Sequence, residues 1–171
     1  SEIDNLKIFD EHSIPKLETV LRMFPDIKFQ IDVKTDEVAM PALAVIQENN
    51  AMDRVCIASF NSKRLNIVNN NYPDICISMG PYEVAKMLLS SFGLYKKSIL
   101  GNCLQIPIYE YGIKLVTKRF VKFIHSKGLK VCVWTINDEK TFKYLIDIGV
   151  DGIITDKPKL LFEVLDSATN Q

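Results

Sequence analysis

Short apolar runs alternate with helical patterns along the whole chain, and this alternation constrains the fold more than any other feature. The six strand-like runs are centred near Ile31, Ile57, Ile75, Gln105, Cys132 and Ile154. A segment with apolar residues at helical spacing follows each run, and no tight hairpin signal joins two runs. Such units indicate parallel strands joined by helical crossovers, with the roughly 30 residues per unit of a (β/α) barrel. The sequence therefore predicts one α/β barrel domain over residues 1–171.

Several helix ends carry typical capping residues. The residues predicted to cap helices at their N-termini are Ser13, Asn61, Thr117 and Asp138. Their side-chain oxygens can accept hydrogen bonds from the free backbone N–H groups of a first helical turn. Gly128 and Gly149 are predicted to end two helices, because glycine readily adopts the left-handed backbone found at helix C-termini. Residues 109–117, "YEYGIKLVT", are predicted to form a loop.

Charge and hydropathy argue against several classes of protein. Lys and Arg total 21, as do Asp and Glu, so no excess charge points to nucleic acid or to an acidic membrane surface. No apolar run approaches the roughly 18 residues that a transmembrane helix needs. The start, "SEIDNLKIFD", is polar and acidic, unlike a signal peptide.

The four cysteines stand singly and far apart in the sequence. They are Cys56, Cys76, Cys103 and Cys132. No C-x-x-C pair and no Cys/His cluster occurs, so neither a zinc site nor a redox pair is expected. The pattern predicts reduced, buried cysteines, as in the reducing interior of a cell, and hence a cytoplasmic location.

Four of the predicted strands end in polar or aromatic residues. These residues are Asp32 and Lys34, Ser59 and Phe60, Trp134 and Thr135, and Thr155 and Asp156. In parallel α/β folds the carboxyl ends of the strands form the edge where ligands bind. We therefore expect the chemistry of this protein at that edge.

Residues 29–34, "FQIDVK", show this arrangement most clearly. With a period of two, the phenylalanine, isoleucine and valine share one face, while Gln30, Asp32 and Lys34 share the other. Helices cover the apolar face in such a fold, so the polar face is predicted to line the barrel interior. A carboxylate and an ammonium group there are costly unless they pair or hold a ligand. The two charges are thus either an interior ion pair or part of a site.

Four longer segments carry a pattern that extends over most of the chain. They are, in order, "IPKLETVLRMFPDIKFQIDVK", "ASFNSKRLNIVNNNYPD", "HSKGLKVCVWTIND" and "LIDIGVDGIITDKPKLL". In order and spacing they resemble the glycerophosphodiester phosphodiesterase family, whose members are (β/α)8 TIM barrels within the phospholipase-C-like phosphodiesterases. The resemblance runs from about Ile14 to Leu161.

The same resemblance implies that two units of the barrel are missing here. Family members begin with a strand carrying a His-Arg-Gly motif, and a second strand follows with acidic metal ligands and then another histidine. This chain has no His-Arg-Gly motif and supplies about six of the eight β/α units. We expect an incomplete barrel, with the catalytic histidines upstream of Ser1. Its unpaired sheet edges favour homo-oligomers as a further expectation.

The resemblance implies hydrolysis of a small glycerophosphodiester or lysophospholipid-type substrate to glycerol 3-phosphate and an alcohol. It also implies a divalent cation, Ca²⁺ or Mg²⁺, because the anionic substrate requires charge neutralisation. Asp32 matches a metal ligand of the family at a position usually held by glutamate, and Lys34 matches a lysine near the substrate phosphate. The other positions implied to bind substrate are Ser59, Phe60, Gln105 and Trp134. Packing is the competing explanation for these side chains.

Neither histidine is expected to be catalytic. His12 has no Arg-Gly after it, and His125 lies on a predicted helix near the rim opposite the expected site. Because the family uses two histidines as general acid and base, this chain alone is expected to be inactive. The alternative is a non-catalytic relative that binds a phosphodiester, a lipid headgroup or a partner protein.

Overall fold

The computed structural model describes residues 6–8 and 12–169 of the chain. The strands are β1 (Lys7–Ile8), β2 (His12–Ser13), β3 (Phe29–Asp32), β4 (Val55–Ala58), β5 (Cys76–Ile77), β6 (Cys103–Ile106), β7 (Tyr109–Glu110), β8 (Ile113–Lys114), β9 (Lys130–Val133) and β10 (Gly152–Ile153). The helices are α1 (Leu17–Met23), α2 (Ala39–Glu48), α3 (Ser62–Asn71), α4 (Pro81–Ser91), α5 (Lys118–Ser126), α6 (Glu139–Ile148) and α7 (Pro158–Thr169).

Six strands, β3 to β6 with β9 and β10, pair in parallel and in the order of the sequence. They form two three-stranded sheets, β3–β4–β5 and β6–β9–β10, which meet at a parallel bridge between Ser78 and Cys103. A helix lies between each strand and the next in this order. The parallel α/β fold predicted from the alternation of strands and helices is therefore confirmed.

Alternate residues of the parallel strands face the helices and form two buried clusters. Val55 and Ile57 of β4 belong to the first cluster, which includes Leu43 of α2. Leu104 of β6 belongs to the second, where Phe142 of α6 is completely buried. Since side chains alternate along a strand, the residues between these apolar positions face the opposite side, which is the interior of the barrel-like sheet. The polar face predicted for residues 29–34 lies on that side.

Three of the four predicted N-terminal caps are confirmed. The side chains of Asn61, Thr117 and Asp138 accept hydrogen bonds from the backbone N–H groups of Lys63, Phe120 and Thr141, respectively. The predicted end of α6 at Gly149 is also confirmed, with a φ of 81°. These local signals therefore place α3, α5 and α6 correctly along the chain.

The cap predicted at Ser13 is wrong. Ser13 belongs to β2 and pairs with Lys7 of β1 in an antiparallel register. The first helix instead begins at Leu17, and Lys16 at its N-cap makes no side-chain capping hydrogen bond. Pairing with β1 holds Ser13 in an extended conformation three residues before the cap position, out of reach of the first turn.

A hairpin occupies part of the segment predicted to be a loop, between two of the parallel strands. Strands β7 and β8 pair in antiparallel fashion around a two-residue turn of Tyr111 and Gly112. Both turn residues have positive φ, 47° and 79°, as the turns that match the twist of a hairpin require. A tyrosine is an uncommon residue at such a position, which is why the sequence gives a weak signal.

The described helices are short, and the longest of them, α7, has 12 residues. Within the described part of the chain, no helix has both the length and the apolar character needed to cross a bilayer.

Candidate active site

A cavity of about 540 Å³ opens at the carboxyl ends of the parallel strands. Five of the six residues predicted to bind metal or substrate line it, namely Asp32, Ser59, Phe60, Gln105 and Trp134. The sixth, Lys34, reaches the same place through an ion pair with Asp32. A second cavity of about 530 Å³, bordered by Lys96 and Lys127, lies at the other end of the strands and contains none of these residues. The strand-end cavity is therefore the candidate site.

Asp32, the last residue of β3, has one oxygen with a partner and one without. Its Oδ2 atom lies 2.5 Å from Nζ of Lys34. Its Oδ1 atom is buried and is the one such side-chain oxygen or nitrogen among the described residues that has no hydrogen-bond partner. A buried oxygen without a partner costs free energy, so its persistence points to a ligand at this position. A carboxylate oxygen of this kind fits Ca²⁺ or Mg²⁺.

The ion pair between Lys34 and Asp32 is partly open to solvent and is not a buried structural ion pair. The side chain of Lys34 is 72% exposed, whereas that of Asp32 is 30% exposed. Exposed ion pairs contribute little to stability, typically about 0–1 kcal/mol. Lys34 therefore does not compensate the burial of Asp32, and its ammonium group is available to an anion that enters the cavity.

Two aromatic rings, those of Phe60 and Trp134, lie beside this ion pair. Nζ of Lys34 lies 5.5 Å from the ring centroid of Phe60, and that ring meets the ring of Trp134 edge to face with centroids 6.1 Å apart. Phe60 is 67% exposed, which a residue kept for packing would not be. The peptide bond between Trp134 and Thr135 is cis. Two rings and an ammonium group together suit a molecule with an anionic head and a carbon body.

Ser59 is buried, and its hydroxyl is used by the protein itself. The hydroxyl donates a hydrogen bond to the carbonyl of Val33 at 3.0 Å and accepts one from Nη1 of Arg64 at 2.9 Å. It also accepts a hydrogen bond from the backbone N–H of Asn61. Ser59 thus holds the ends of β3 and β4 together through its hydroxyl group. The residue also lines the cavity.

Arg64 is a residue of the site that the sequence reasoning missed. It is 8% exposed, and its Nη1 also donates to the carbonyl of Val33 at 2.7 Å, while Nε donates to Asp36 at 2.6 Å. A buried arginine next to apolar Leu65 on α3 interrupts the helical pattern, and this interruption was the available signal. The guanidinium group fixes the turn that carries Asp32 and Lys34.

We expect Arg64→Met to lower the free energy of unfolding by about 2–3 kcal/mol, because a buried carbonyl and hydroxyl lose a charged donor. Urea unfolding followed by circular dichroism measures this change. The matched control is Lys63→Met on the same helix, an exposed position where the effect should stay within about 0.5 kcal/mol. Equal effects of the two substitutions would contradict the role given to Arg64.

Gln105 of β6 and Gln30 of β3 meet across the interior. Nε2 of Gln30 donates a hydrogen bond to Oε1 of Gln105, and both residues line the cavity. The two strands belong to different sheets. This contact therefore closes the floor of the cavity, and it leaves the amide nitrogen of Gln105 as a donor toward a ligand.

The hairpin β7–β8 supplies a wall of the cavity that the sequence did not predict. Glu110, Tyr111 and Ile113 line the cavity together with Leu115, which follows the hairpin. Tyr111 at the tip is 96% exposed. Glu110 adds a second carboxylate-bearing residue to the lining of the cavity, in addition to Asp32.

Asn137 joins two loops at the carboxyl ends of the strands. Its Oδ1 accepts hydrogen bonds from the hydroxyl of Thr155 and the backbone N–H of Asp156, and its Nδ2 donates to the Asp156 carboxylate. The loop after β9 is thus joined to the loop after β10, which holds Trp134 at its place beside the cavity.

His125 lies at the opposite end of the strands, as predicted. Its Nε2 is 2.8 Å from Oδ2 of Asp151, which also accepts a hydrogen bond from the backbone N–H of Val131 at the start of β9. Burial opposes ionisation of Asp151, but the hydrogen bonds from Val131 and His125 outweigh it and lower the pKa of this carboxyl. His125 is therefore a partner of Asp151 and is not part of the candidate site.

Fold and site together define a parallel α/β protein of the TIM-barrel type, with a carboxylate, an ammonium group and aromatic rings at the carboxyl ends of its strands. The family model described as "Glycerophosphoryl diester phosphodiesterase family" matches residues 2–160. The chain belongs to this family.

Individual relatives agree with this assignment. The chain is 32% identical over 162 residues to a Mycobacterium tuberculosis protein named "Probable glycerophosphodiester phosphodiesterase 2", a match that covers 90% of this chain and 60% of the relative. Among solved structures, the glycerophosphodiester phosphodiesterase of Parabacteroides distasonis superposes with a TM-score of 0.77 at 22% identity, over 98% of this chain and 71% of the other.

A further solved structure carries a ligand. It is a phosphodiesterase from Oleispira antarctica in complex with the product sn-glycerol-3-phosphate. It has a TM-score of 0.70 and 19% identity and covers 90% of this chain and 62% of that one. At such identities the two solved structures support the fold alone. The chain spans between 57% and 64% of the length of the curated relatives that it matches over most of its own length.

Proposed function

We propose that this site binds the substrate of a metal-dependent glycerophosphodiester phosphodiesterase. The complete protein would hydrolyse a glycerophosphodiester to glycerol 3-phosphate and an alcohol. The observation that carries the proposal is the buried, partnerless Oδ1 of Asp32 beside the available ammonium group of Lys34. A metal ion and the substrate phosphate can bind side by side where the protein provides a negative and a positive group. Asp32 and Lys34 provide these two groups.

The proposed metal ligand of this chain is Asp32, and Glu110 is a second carboxylate within the same cavity. A bound Ca²⁺ or Mg²⁺ would neutralise charge on the phosphodiester and polarise its oxygens. Either ion takes six or more oxygen ligands, so substrate oxygens, water and further residues complete the set. The unpartnered oxygen of Asp32 supports this assignment, and a hard oxygen donor fits either of the two ions.

The remaining residues are proposed to hold and orient the substrate. Lys34 donates to the phosphate, because its ammonium group is exposed next to the carboxylate. Phe60 and Trp134 enclose the carbon atoms of the glycerol or lipid part, and Gln105 donates from the floor of the cavity. Ser59 acts through the backbone that it fixes. A molecule such as sn-glycerol-3-phosphate, the product named for the Oleispira antarctica structure, has the phosphate and the small carbon body that this division requires.

A phosphodiester- or headgroup-binding protein without catalytic activity is the second candidate. The observation in its favour is that no histidine of the described residues lines the cavity. Acid–base catalysis of this hydrolysis needs a group that takes a proton from water and another that protonates the leaving alcohol. In the enzyme, we propose that these groups belong to a part of the complete protein outside residues 1–171, and residues 1–171 alone are then inactive.

We expect the complete protein to release glycerol 3-phosphate from glycerophosphocholine when Ca²⁺ or Mg²⁺ is present. Removal of the ion with a chelator should lower the rate at least about 100-fold, and the ion should restore it. A coupled assay for glycerol 3-phosphate measures both effects. Saturable binding of glycerophosphocholine by calorimetry, with no product after prolonged incubation with either ion, would contradict the enzyme and favour the binding protein.

We also propose that the protein is located in the cytoplasm and acts on a small-molecule substrate. The four cysteines are free in the structure, in keeping with a reducing compartment. Self-association is proposed as well, because β3 and β10 have one neighbour each among the described strands. Fractionation of cells and sedimentation of the complete protein test the two proposals.

A further inference from the structure

All four cysteines lie on the interior face of the parallel strands. Cys56, Cys76, Cys103 and Cys132 are half-buried, and each stands on a different strand, β4, β5, β6 or β9. Their strand neighbours, such as Ile57 and Leu104, belong to the two buried clusters beneath the helices. The alternation of side chains therefore turns the thiols inward. The sequence shows four isolated cysteines, and the fold places them in one interior layer.

Three of these thiols form a compact group. The Sγ atoms of Cys56, Cys76 and Cys103 all lie within 4.8 Å of one another. Cys56 and Cys76 are register partners on neighbouring strands, and Sγ of Cys56 lies 3.7 Å from Sγ of Cys103, across the strand between them. The sheet bends inward here and brings β4 and β6 together over β5. The expectation of no cysteine cluster, drawn from the sequence spacing alone, does not hold in three dimensions.

The spacing of the group matches the needs of a metal ion with thiolate ligands. Zinc–sulfur bonds of about 2.3 Å in a tetrahedron place sulfur atoms about 3.8 Å apart. The separation between Cys56 and Cys103 already has this value, at 3.7 Å. The other pairs, at no more than 4.8 Å, need to close by about 1 Å at most, which small side-chain rotations supply.

The chemistry of the group selects soft ions. Thiolates favour Zn²⁺ and Cu⁺ over the hard ions that a carboxylate prefers. In the described residues, no carboxylate and no histidine belongs to the group. The site thus differs in kind from the oxygen site at Asp32.

The fourth cysteine stands apart for a visible reason. Cys132 pairs in register with Gly152, and a Cβ atom on that glycine would lie 2.8 Å from Sγ of Cys132. The thiol of Cys132 thus occupies the space that the missing side chain leaves on β10, on the side away from β5. It provides a matched control, as it is a half-buried cysteine of the same interior layer.

The three-thiol group lies directly beneath the floor of the candidate active site. Ala58, Ser78 and Gln105 line the cavity, and each stands two residues after one of the three cysteines along the chain. Two residues of a strand span about 6.6 Å, so an ion at the thiols lies one side-chain layer below the substrate. It would join β4, β5 and β6 at the bridge where the two sheets meet.

We propose that Cys56, Cys76 and Cys103 form a binding site for one soft d10 cation, Zn²⁺ or Cu⁺, that braces the floor of the cavity. Three protein ligands leave a further position for water in a tetrahedral ion. The proposal does not depend on the proposed enzymatic function, because it concerns binding and stability.

The test begins with the complete protein, reduced and stripped of metal. Titration with Zn²⁺ and, separately, with Cu⁺ against competing chelators should show one equivalent bound by one of the two ions, which identifies the ion. At a 100-fold excess over the dissociation constant, that ion should raise the midpoint of thermal unfolding by about 5–10 °C. It should also protect three cysteines from alkylation, as counted by mass spectrometry, in protein that carries no substitution.

Two variants locate the site. Cys76→Ser should weaken binding at least about 100-fold, since loss of an outer partner of a metal ligand already costs about 10–100-fold. Cys132→Ser should leave the affinity within about threefold of the unaltered protein. Binding that is no tighter in the unaltered protein than in Cys76→Ser would overturn the proposal. An equal loss in Cys132→Ser, or a Cys56–Cys103 disulfide in place of bound metal, would overturn it as well.

Discussion

Asp32→Asn is expected to lower kcat/KM of the complete protein for glycerophosphocholine at least about 100-fold. It is also expected to lower the affinity for Ca²⁺ or Mg²⁺ to a similar degree. The amide keeps the shape of the side chain but has no negative charge with which to hold the ion. Because Oδ1 of Asp32 is buried without a partner, the substitution should not lower the free energy of unfolding of the metal-free protein. Steady-state kinetics across a range of ion concentrations, together with urea unfolding, measure both quantities.

The matched control for Asp32 is Glu37→Gln, which removes a carboxylate five residues further along the chain. Glu37 is exposed and does not line the cavity. Activity and metal affinity should therefore stay within about twofold of the unaltered protein, as for an ordinary surface substitution. Turnover by Asp32→Asn at the rate of this control would remove Asp32 from the site.

Lys34→Met is expected to lower kcat/KM about 10- to 150-fold, which corresponds to the roughly 1.5–3 kcal/mol of a hydrogen bond to a charged group. The loss should appear mainly in KM if Lys34 only binds the phosphate, and in kcat if it stabilises charge that develops during the reaction. Lys34→Arg should recover part of the activity, because it keeps the charge but changes the geometry of the donors. Kinetics at two salt concentrations measure how far charge alone contributes.

Lys28→Met serves as the control for this prediction. Lys28 is exposed and directly precedes β3, so it lies at the other end of the strand that Lys34 follows. Its loss should leave KM and its salt dependence unchanged. A similar rise in KM for both variants would mean that the net charge of the surface, and not a contact with the phosphate, attracts the substrate.

Much of the fold could be predicted because strong local signals and the tertiary structure agree. The β-branched runs around Ile57 and Ile154 form parallel strands, and the caps at Thr117 and Asp138 mark real helix starts. The rim residues were also predictable, because the carboxyl ends of parallel strands must meet at one edge. That rule brings Asp32 near residues that are far away in sequence.

The parts that could not be predicted depend on geometry between strands. The cysteine group exists because β4, β5 and β6 bend toward one another, which a spacing rule such as C-x-x-C does not register. Arg64 was overlooked, although it stands next to inward-facing Leu65, because an arginine on a helix is usually exposed. Tyr111 holds a positive φ that its residue type rarely favours, so the hairpin was predicted as a loop.

The two sheets meet at the bridge between Ser78 and Cys103. One wall of the cavity therefore comes from the chain before this bridge, and the other wall comes from the chain after it. Residues 29–64 contain the acid, the ammonium group and the arginine that fixes them. Gln105 belongs to β6 of the other sheet, and Trp134 directly follows β9 of that sheet. A crossover between β5 and β6 in recombinant chimeras of family members would therefore exchange Asp32, Lys34 and Arg64 as one inherited block, while Gln105, Glu110 and Trp134 come from the other parent. Chimeras joined at that point offer a way to vary the two walls of the cavity separately.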